Sequence, residues 1–431
     1  MNTYPSYKDS GVEWIGEIPI GWDTKRFSYS FNIQKGKIPR KLINEPLEKS
    51  LPYLSMEVLR GKNPSEYSNE DGLVIVQNGD IGLLWDGSNS GEVVRINREG
   101  ILSSTVSLLS LKDTNLKKEF SFYLLKFYED DYKNNTIGMG IPHVDGNHVK
   151  ESKLIIPSID EQTQIVSFLD TKTQKVDELI EKTEQKIKLL KEKRTSLINH
   201  CVTKGLNPDV KMKDSGVEWI GEIPRDWKLL KFWLIISSSD LGGNYNCSSE
   251  YEGYPVMKMG NLGRGSINLK KIEYIDNNSN VDKNHILQNG DFLFNTRNSK
   301  ELVGKVSLWK NELPISIYNS NILRICFNKN VSNDYMNYLF NSNSILDFLK
   351  MISKGTTNVS GIYFKDLSNI YICLPSKHEQ TQIVEYLDEQ TQNIDSTIEK
   401  ETQRIELLKE YRQSLISEVV TGKVDVRDYN G

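Results

Sequence analysis

A stretch that opens at Pro157, PSIDEQTQIVSFLD, returns at Pro375 as PSKHEQTQIVEYLD. In each copy a Ser-x-x-Glu pair, Ser158 with Glu161 and Ser376 with Glu379, fits a capping box. The Ser oxygen accepts from the backbone N–H three residues on, and the Glu reaches back to the Ser N–H. Gly205 and Gly422 stand where a left-handed C-cap is wanted. Between cap and glycine the apolar residues step by three and four. The first copy has Val166, Leu169, Val176, Ile180, Ile187, Leu190 and Leu197; the second has Val384, Leu387, Ile394, Ile398, Ile405, Leu408 and Leu415. A seam of this kind, held over several heptads, requires a partner helix. One such helix reads as part of a bundle. Two in one register, far apart in one chain, predict an intramolecular coiled coil.

A second repeat lies ahead of each helix. Residues 9–19 read DSGVEWIGEIP, and residues 214–224 read the same without a change. A tryptophan follows three residues later in each, Trp22 and Trp227. The offset is 205 residues here and 218 at the helices, so the middle of the second copy is longer. The segment is too short and too rich in Gly and Pro to fold alone. Trp14, Ile15 and Trp22, with Trp219, Ile220 and Trp227, are therefore expected either to pack into a satellite core or to dock on a neighbouring surface, the base of the helices or a partner subunit. The fold class that follows is α+β: two similar mixed α/β domains separated by two long antiparallel helices, with a quasi-twofold internal repeat. The expected divisions are a docking segment plus first domain (1–156), the central helix (157–206), a linker with the second docking segment and domain (207–374), and the second helix and tail (375–431).

Within the middles, QNGD occurs at 77–80 and again at 288–291, between apolar runs. This is a hairpin-type turn, and a turn Asp is favoured there over a catalytic one. Amphipathic, aromatic-rich helical stretches follow at 120–132 and 334–352. A Gly-containing loop comes next, 138–148 and 354–361, and then a closing strand into the next cap. Elsewhere the middles diverge. Near-identical ends with divergent middles suggest one scaffold presenting two recognition surfaces.

Catalytic constellations are missing from the sequence. Gly304-Lys305 and Gly422-Lys423 are each followed by Val, so neither makes a phosphate-cradling loop. HExxH, GxSxG and the Asn/Asp-Pro-Pro-aromatic run of amino-methyltransferases do not occur. Four cysteines without a CxxC pair and five scattered histidines predict a reduced, cytoplasmic protein without structural metal. No apolar run approaches a membrane span. The net charge of −4 argues against a whole-surface nucleic-acid binder but permits local basic faces. Such residues exist. Lys35, Lys37, Arg40, Lys41, Arg60 and Lys62 fall early in the first middle; Lys258, Arg264, Lys270, Lys271, Arg297 and Lys300 fall in the second. Lys and Arg neutralise phosphates, and Arg, Asn and Gln read base edges. In the late loops, Lys354, Thr356, Thr357, Asn358 and Ser360 are candidates, with His143 in the first copy.

Taken together, SGVEWIGEIPxxW twice, NGD twice, the Gly-Thr-Thr loop before an Ile-rich strand, PSxxEQTQIVxxLD twice and the endings SLINHCVTKGL and SLISEVVTGKVDV resemble the specificity subunit of type I restriction-modification systems. The resemblance covers nearly the whole chain. The first copy has Gly138-Met139-Gly140-Ile141-Pro142-His143 where the second has Gly355-Thr356-Thr357. The resemblance implies that each middle is a target recognition domain reading one half of a bipartite site on double-stranded DNA. It implies a non-catalytic subunit that docks two modification (methyltransferase) subunits and, through them, restriction subunits. S-adenosylmethionine, ATP and Mg2+ then belong to those partners, with no cofactor in this chain. Two rivals are a fused enzyme and a coiled-coil scaffold without sequence-specific DNA binding. For the helices, an antiparallel register with Ile187 near Leu408 sets Arg194 against Glu401 and Thr183 against Arg412.

Overall fold

A computed structural model describes residues 2–429 apart from 139, 277 and 357. The late-loop residues Met139 and Thr357 thus lie outside the described set. The chain forms two compact units, Met1–Glu184 with Gln403–Gly431, and Gln185–Thr402. The units divide both long helices between them.

In the first unit an antiparallel four-stranded sheet runs Phe31–Lys35, Val106–Leu111, Ile81–Leu84, Val93–Arg95. A second sheet holds Tyr67–Ser68, Leu51–Leu54, Gly100–Leu102 and Ile75–Val76. The other unit repeats the first sheet with Ile236–Leu241, Ile322–Phe327, Phe292–Asn295 and Val306–Leu308. Its second sheet is Cys247–Ser248, Glu273–Ile275, Pro255–Met257 and Ile317–Tyr318. The central strands are apolar on both faces because each sheet separates two cores. Phe292 and Phe294 enter the core on the helix side, and Leu293 enters the other. That is the period-two alternation of a strand buried on both sides. The QNGD aspartates close their turns: Asp80 Oδ2 accepts from Gln77 N at 2.7 Å, and Asp291 Oδ2 from Gln288 N at 2.9 Å. The expected hairpins are corrected. Ile75–Val76 and Ile81–Leu84 belong to different sheets. Ile286 bridges Ile317, while Phe292–Asn295 pairs with Val306–Leu308 and Ile322–Phe327, so each turn carries the chain from one sheet to the other.

The long helices run Ile159–Lys204 and Lys377–Val420. Both starts are capped by the expected serines, and the first also shows the return bond of a full capping box. Glu161 N donates to Ser158 Oγ at 3.3 Å, and Glu161 Oε2 accepts from Ser158 N at 3.3 Å; Glu379 N donates to Ser376 Oγ at 3.2 Å. Gly205 and Gly422 end them at φ +79° and +73°. The glutamine after each capping Glu ties the helix start to its own unit. Gln162 Nε2 donates to the carbonyls of Asn115 and Pro157, and its Oε1 accepts from Lys117 N at 2.8 Å. Gln380 repeats this with Asn330, Pro375 and Ser332 N, the last at 2.7 Å.

Each docking segment is a short hairpin, Tyr7–Asp9 with Glu17–Pro19 and Met212–Asp214 with Glu222–Pro224. Trp22 is only 1% exposed, in one core with Phe168 and Leu169 of the first helix and Leu415 and Val419 of the second. Trp227 is 2% exposed, with Val202 and Leu387. Their indole N–H groups donate to Glu161 and Glu379 at 3.1 and 3.0 Å. The expectation of a partner-facing surface is corrected here for Trp22, Trp227 and Ile15, whose side chains are spent inside the main core. Trp14 is half-exposed against Phe127 and Tyr128. Trp219 stacks on Phe348 with centroids 4.4 Å apart, and Ile220 is partly buried beside it.

The helices are antiparallel, and their register differs from the expected one by about a heptad. Arg194 pairs with Asp395 at 2.8 Å, and Lys186 takes Glu401 at 2.6 Å. In the first unit Arg412 pairs with Asp177 at 2.9 Å, in place of the expected approach to Thr183. The physical reason is that a heptad pattern fixes which face meets the partner, and a slip of seven residues satisfies it equally. The ends set the register, through the buried Trp and Gln anchors. Arg194–Asp395 and Asp177–Arg412 are the same pair at repeat-equivalent positions, each partner displaced by the 218-residue offset. Both sit at the rim of the seam. A double-mutant cycle on Arg194→Ala and Asp395→Ala is therefore expected to give a coupling below about 1 kcal/mol; a coupling several times larger would mean the pair also holds the register.

Candidate nucleic-acid interface

At one edge of each main sheet a short hairpin meets a strand end. In the first unit the hairpin is Thr136–Ile137 with His143–Val144, and Asp86 bridges to His143. In the second it is Lys354–Gly355 with Ser360–Gly361, and Arg297 pairs with Gly361. Asp86 and Arg297 each lie six residues beyond the turn aspartate, and the hairpins are offset by 218 at their first strands and 217 at their second. The two loops differ in sequence yet form the same hairpin in the same place.

The side chains on this framework are different. In the first unit Asp86 accepts from Lys35 Nζ and from His143 Nδ1, both at 2.6 Å. Burial pushes the Asp86 carboxyl up, and the hydrogen bonds from Lys35 and His143 more than offset this, holding it below the usual carboxylate value. In the second unit a cleft of about 810 Å³ opens beside the hairpin. Arg297, Lys354, Asp240, Asn244, Asn321 and Tyr363 are among its lining residues. Lys354 is held by Asp366 at 2.7 Å, above the Tyr363 ring. Arg297 is exposed, and its guanidinium makes no hydrogen bond or ion pair with any described residue.

The remaining candidates are scattered. Lys37 Nζ donates to the Gly72 carbonyl at 3.2 Å, Arg40 is 95% exposed at its side chain, and Lys41 is exposed. Arg60 is paired with Glu92, Lys62 with Glu57 and Lys258 with Glu273, so their charges are largely answered within the chain. Arg264 donates to the Glu301 carbonyl at 3.0 Å. Thr356 and Asn358 are exposed on the hairpin. Ser360 is corrected: it is 2% exposed, and its hydroxyl donates to the Thr356 carbonyl, so it shapes the turn and does not face solvent. Asp240, Asn244, Thr296, Ser320 and Asn321 were not legible as site residues. Asp240 lies on a strand and the others in the loops that follow or join separate strands, and only the sheet order gathers them. Among the described residues no group of three His, Cys, Asp or Glu is placed to hold a metal, and no helix is long and apolar enough to cross a membrane.

One framework carrying two different sets of polar side chains defines a duplicated recognition protein. The family model for the type I restriction modification DNA specificity domain matches it twice, at residues 19–189 and 243–409. The MjaVIII specificity subunit of Methanocaldococcus jannaschii is 30% identical over 425 residues, 96% of this chain and 95% of that protein. The EcoKI specificity subunit of Escherichia coli is 25% identical over 201 residues, covering 46% and 43%. A chain from a solved structure concerned with complex assembly and conformational transition of a type I R-M system shares the fold, with a TM-score of 0.70 at 17% identity over 94% of this chain and 99% of that one. The chain belongs to the type I restriction-modification specificity family. It is a specificity subunit, not one of the catalytic subunits of such a system.

Proposed function

We propose that each unit reads one half of a bipartite target on double-stranded DNA, through the surface where hairpin and strand end meet. The observation that carries this reading is the recurrence of that framework with different side chains: Lys35, Asp86 and His143 in one unit, Arg297 and Lys354 in the other. Lys37, Arg40 and Lys41 follow Lys35 in sequence, and Thr356 and Asn358 are exposed on the second hairpin; these residues, with Arg264 and Thr357, supply backbone contacts. Phosphate contacts of this kind position a reader without specifying sequence. The duplicated docking segments and helices suit two copies of a modification subunit, with restriction subunits joining through them, and exposed Trp14 is a contact candidate. S-adenosylmethionine, ATP and Mg2+ are assigned to those partners, and the complex works in the cytoplasm.

Methylome sequencing of cells that express this chain with its modification subunit tests the reading. A new adenine-methylated motif in two parts, split by unspecified bases, is the expected outcome. A chain that assembles with the modification subunit yet yields no new motif would instead support a scaffold without sequence-specific binding.

A further inference from the structure

We infer that the residue just beyond the central strand, Arg297 in one unit and Asp86 in the other, fixes base specificity, and that Arg297 reads a guanine. The inference rests on the DNA-reading function above and names the residue and the base. Three observations lead to it. First, Arg297 is pinned at its backbone, paired with Gly361 of the hairpin, while Asn295 Nδ2 donates to its carbonyl at 3.1 Å. The side chain therefore projects from a fixed base. Second, its guanidinium has no partner among the described residues, although the Lys354 ammonium in the same cleft is held by Asp366. Of the other arginines in this unit, Arg194 is engaged by Asp395, Arg264 by the Glu301 carbonyl and Arg324 by Asp240, while exposed Arg225 lies outside the cleft lining. An idle guanidinium among amides and hydroxyls is placed for an acceptor pair brought in from outside. Third, the cleft is open enough, at about 810 Å³, to admit a base edge.

The planar fork of arginine matches the O6 and N7 acceptors of guanine in the major groove, the commonest specific contact of this kind. The neighbouring Asn244, Asn321, Thr296 and Ser320 belong to the same lining and offer amide and hydroxyl groups for adjacent bases. A phosphate needs only a cation, which Lys354 supplies. In the first unit the equivalent position carries an acid, and Lys35 and His143 both converge on it. A carboxylate repels the guanine acceptors that an arginine attracts. The two half-sites accordingly differ at this position: the half read by the second unit contains a required G·C pair that the other half lacks.

The test uses the assembled complex of this chain with its modification subunit, first as wild type and then as Arg297→Ala. Binding is measured by competition against duplexes that carry the methylome-defined target with each base pair replaced in turn. The expected result is a loss on the order of 10- to 100-fold on the intact target, with discrimination lost at one G·C pair of one half-site and kept everywhere else. Three results would overturn the inference: unchanged binding, a uniform loss with discrimination preserved at every position (a phosphate contact), or relaxation at a pair other than G·C. A wild-type complex that shows no bipartite target at all would mean that the DNA-reading function has failed, a separate outcome. Thermal melting of the variant chain, expected to match wild type because Arg297 is exposed, separates these results from misfolding.

Discussion

Replacing Trp22 with Ala is expected to destabilise the first unit by about 3–5 kcal/mol, the usual range for removing a buried large aromatic. The indole is 1% exposed and lies in a core built from the docking hairpin, the sheet domain and both long helices. Few neighbours can move to refill the space, because the backbone around it is tied by strand pairing and helix starts. The Glu161 carboxylate also loses a donor that sits at 3.1 Å. Calorimetry on the whole chain should show one transition moved sharply down and the other nearly fixed, since Trp227 does the corresponding work in the second unit. Trp22→Phe keeps most of the packing and loses the N–H bond, so its cost should fall well below that of Ala. Equal melting of wild type and Trp22→Ala would show that the segment is only loosely attached.

Gln380→Leu is expected to cost about 2–5 kcal/mol, although it keeps the size of the side chain. The glutamine is fully buried and answers three backbone groups: the Asn330 and Pro375 carbonyls and the Ser332 N–H. Leucine removes all three bonds; the one to Pro375 is fully buried and the other two partly, so one to two orphans at about 1–3 kcal/mol each remain. The damage is local in origin, because Ser332 caps the helix Asn333–Phe340 that packs under the sheet. Hydrogen exchange should register it first at the Ser332 amide. Gln162→Leu should do the same at Lys117 in the other unit. Unchanged protection at these amides would mean that water can replace the glutamine.

These two residues also mark where sequence reasoning stops. The EQTQ motif was visible twice, and its Ser and Glu were readable as a cap because both partners lie within four residues. Gln162 and Gln380 bond to groups 45 to 50 residues away, which no local pattern encodes. The long helices, the repeat and the QNGD turns were legible for the same reason as the cap: their determinants are periodic or adjacent. The helix register was not, since its determinants are the distant anchors and not the heptads. At the candidate interface the cations were visible one by one. Their grouping was not, because strand order decides that Arg60 meets Glu92 while the Arg297 guanidinium meets no partner among the described residues. The hairpins were obscured by sequence divergence, although the equal spacing of their first strands from the following cap, the 218-residue offset, was already present in the chain.

The division of the chain also bears on the order in which it can be made. The second unit is one continuous segment, Gln185–Thr402, whereas the first needs Gln403–Gly431 to finish its core. During synthesis the amino-terminal unit must wait, with Phe168 and Leu169 lacking Leu415 and Val419, while the whole of the other unit emerges. At ~5–20 residues per second that interval is on the order of 10–40 s. The half of the protein that is translated first is the half that closes last, and its apolar helix face is exposed to aggregation, or to a passing chaperone, for that time.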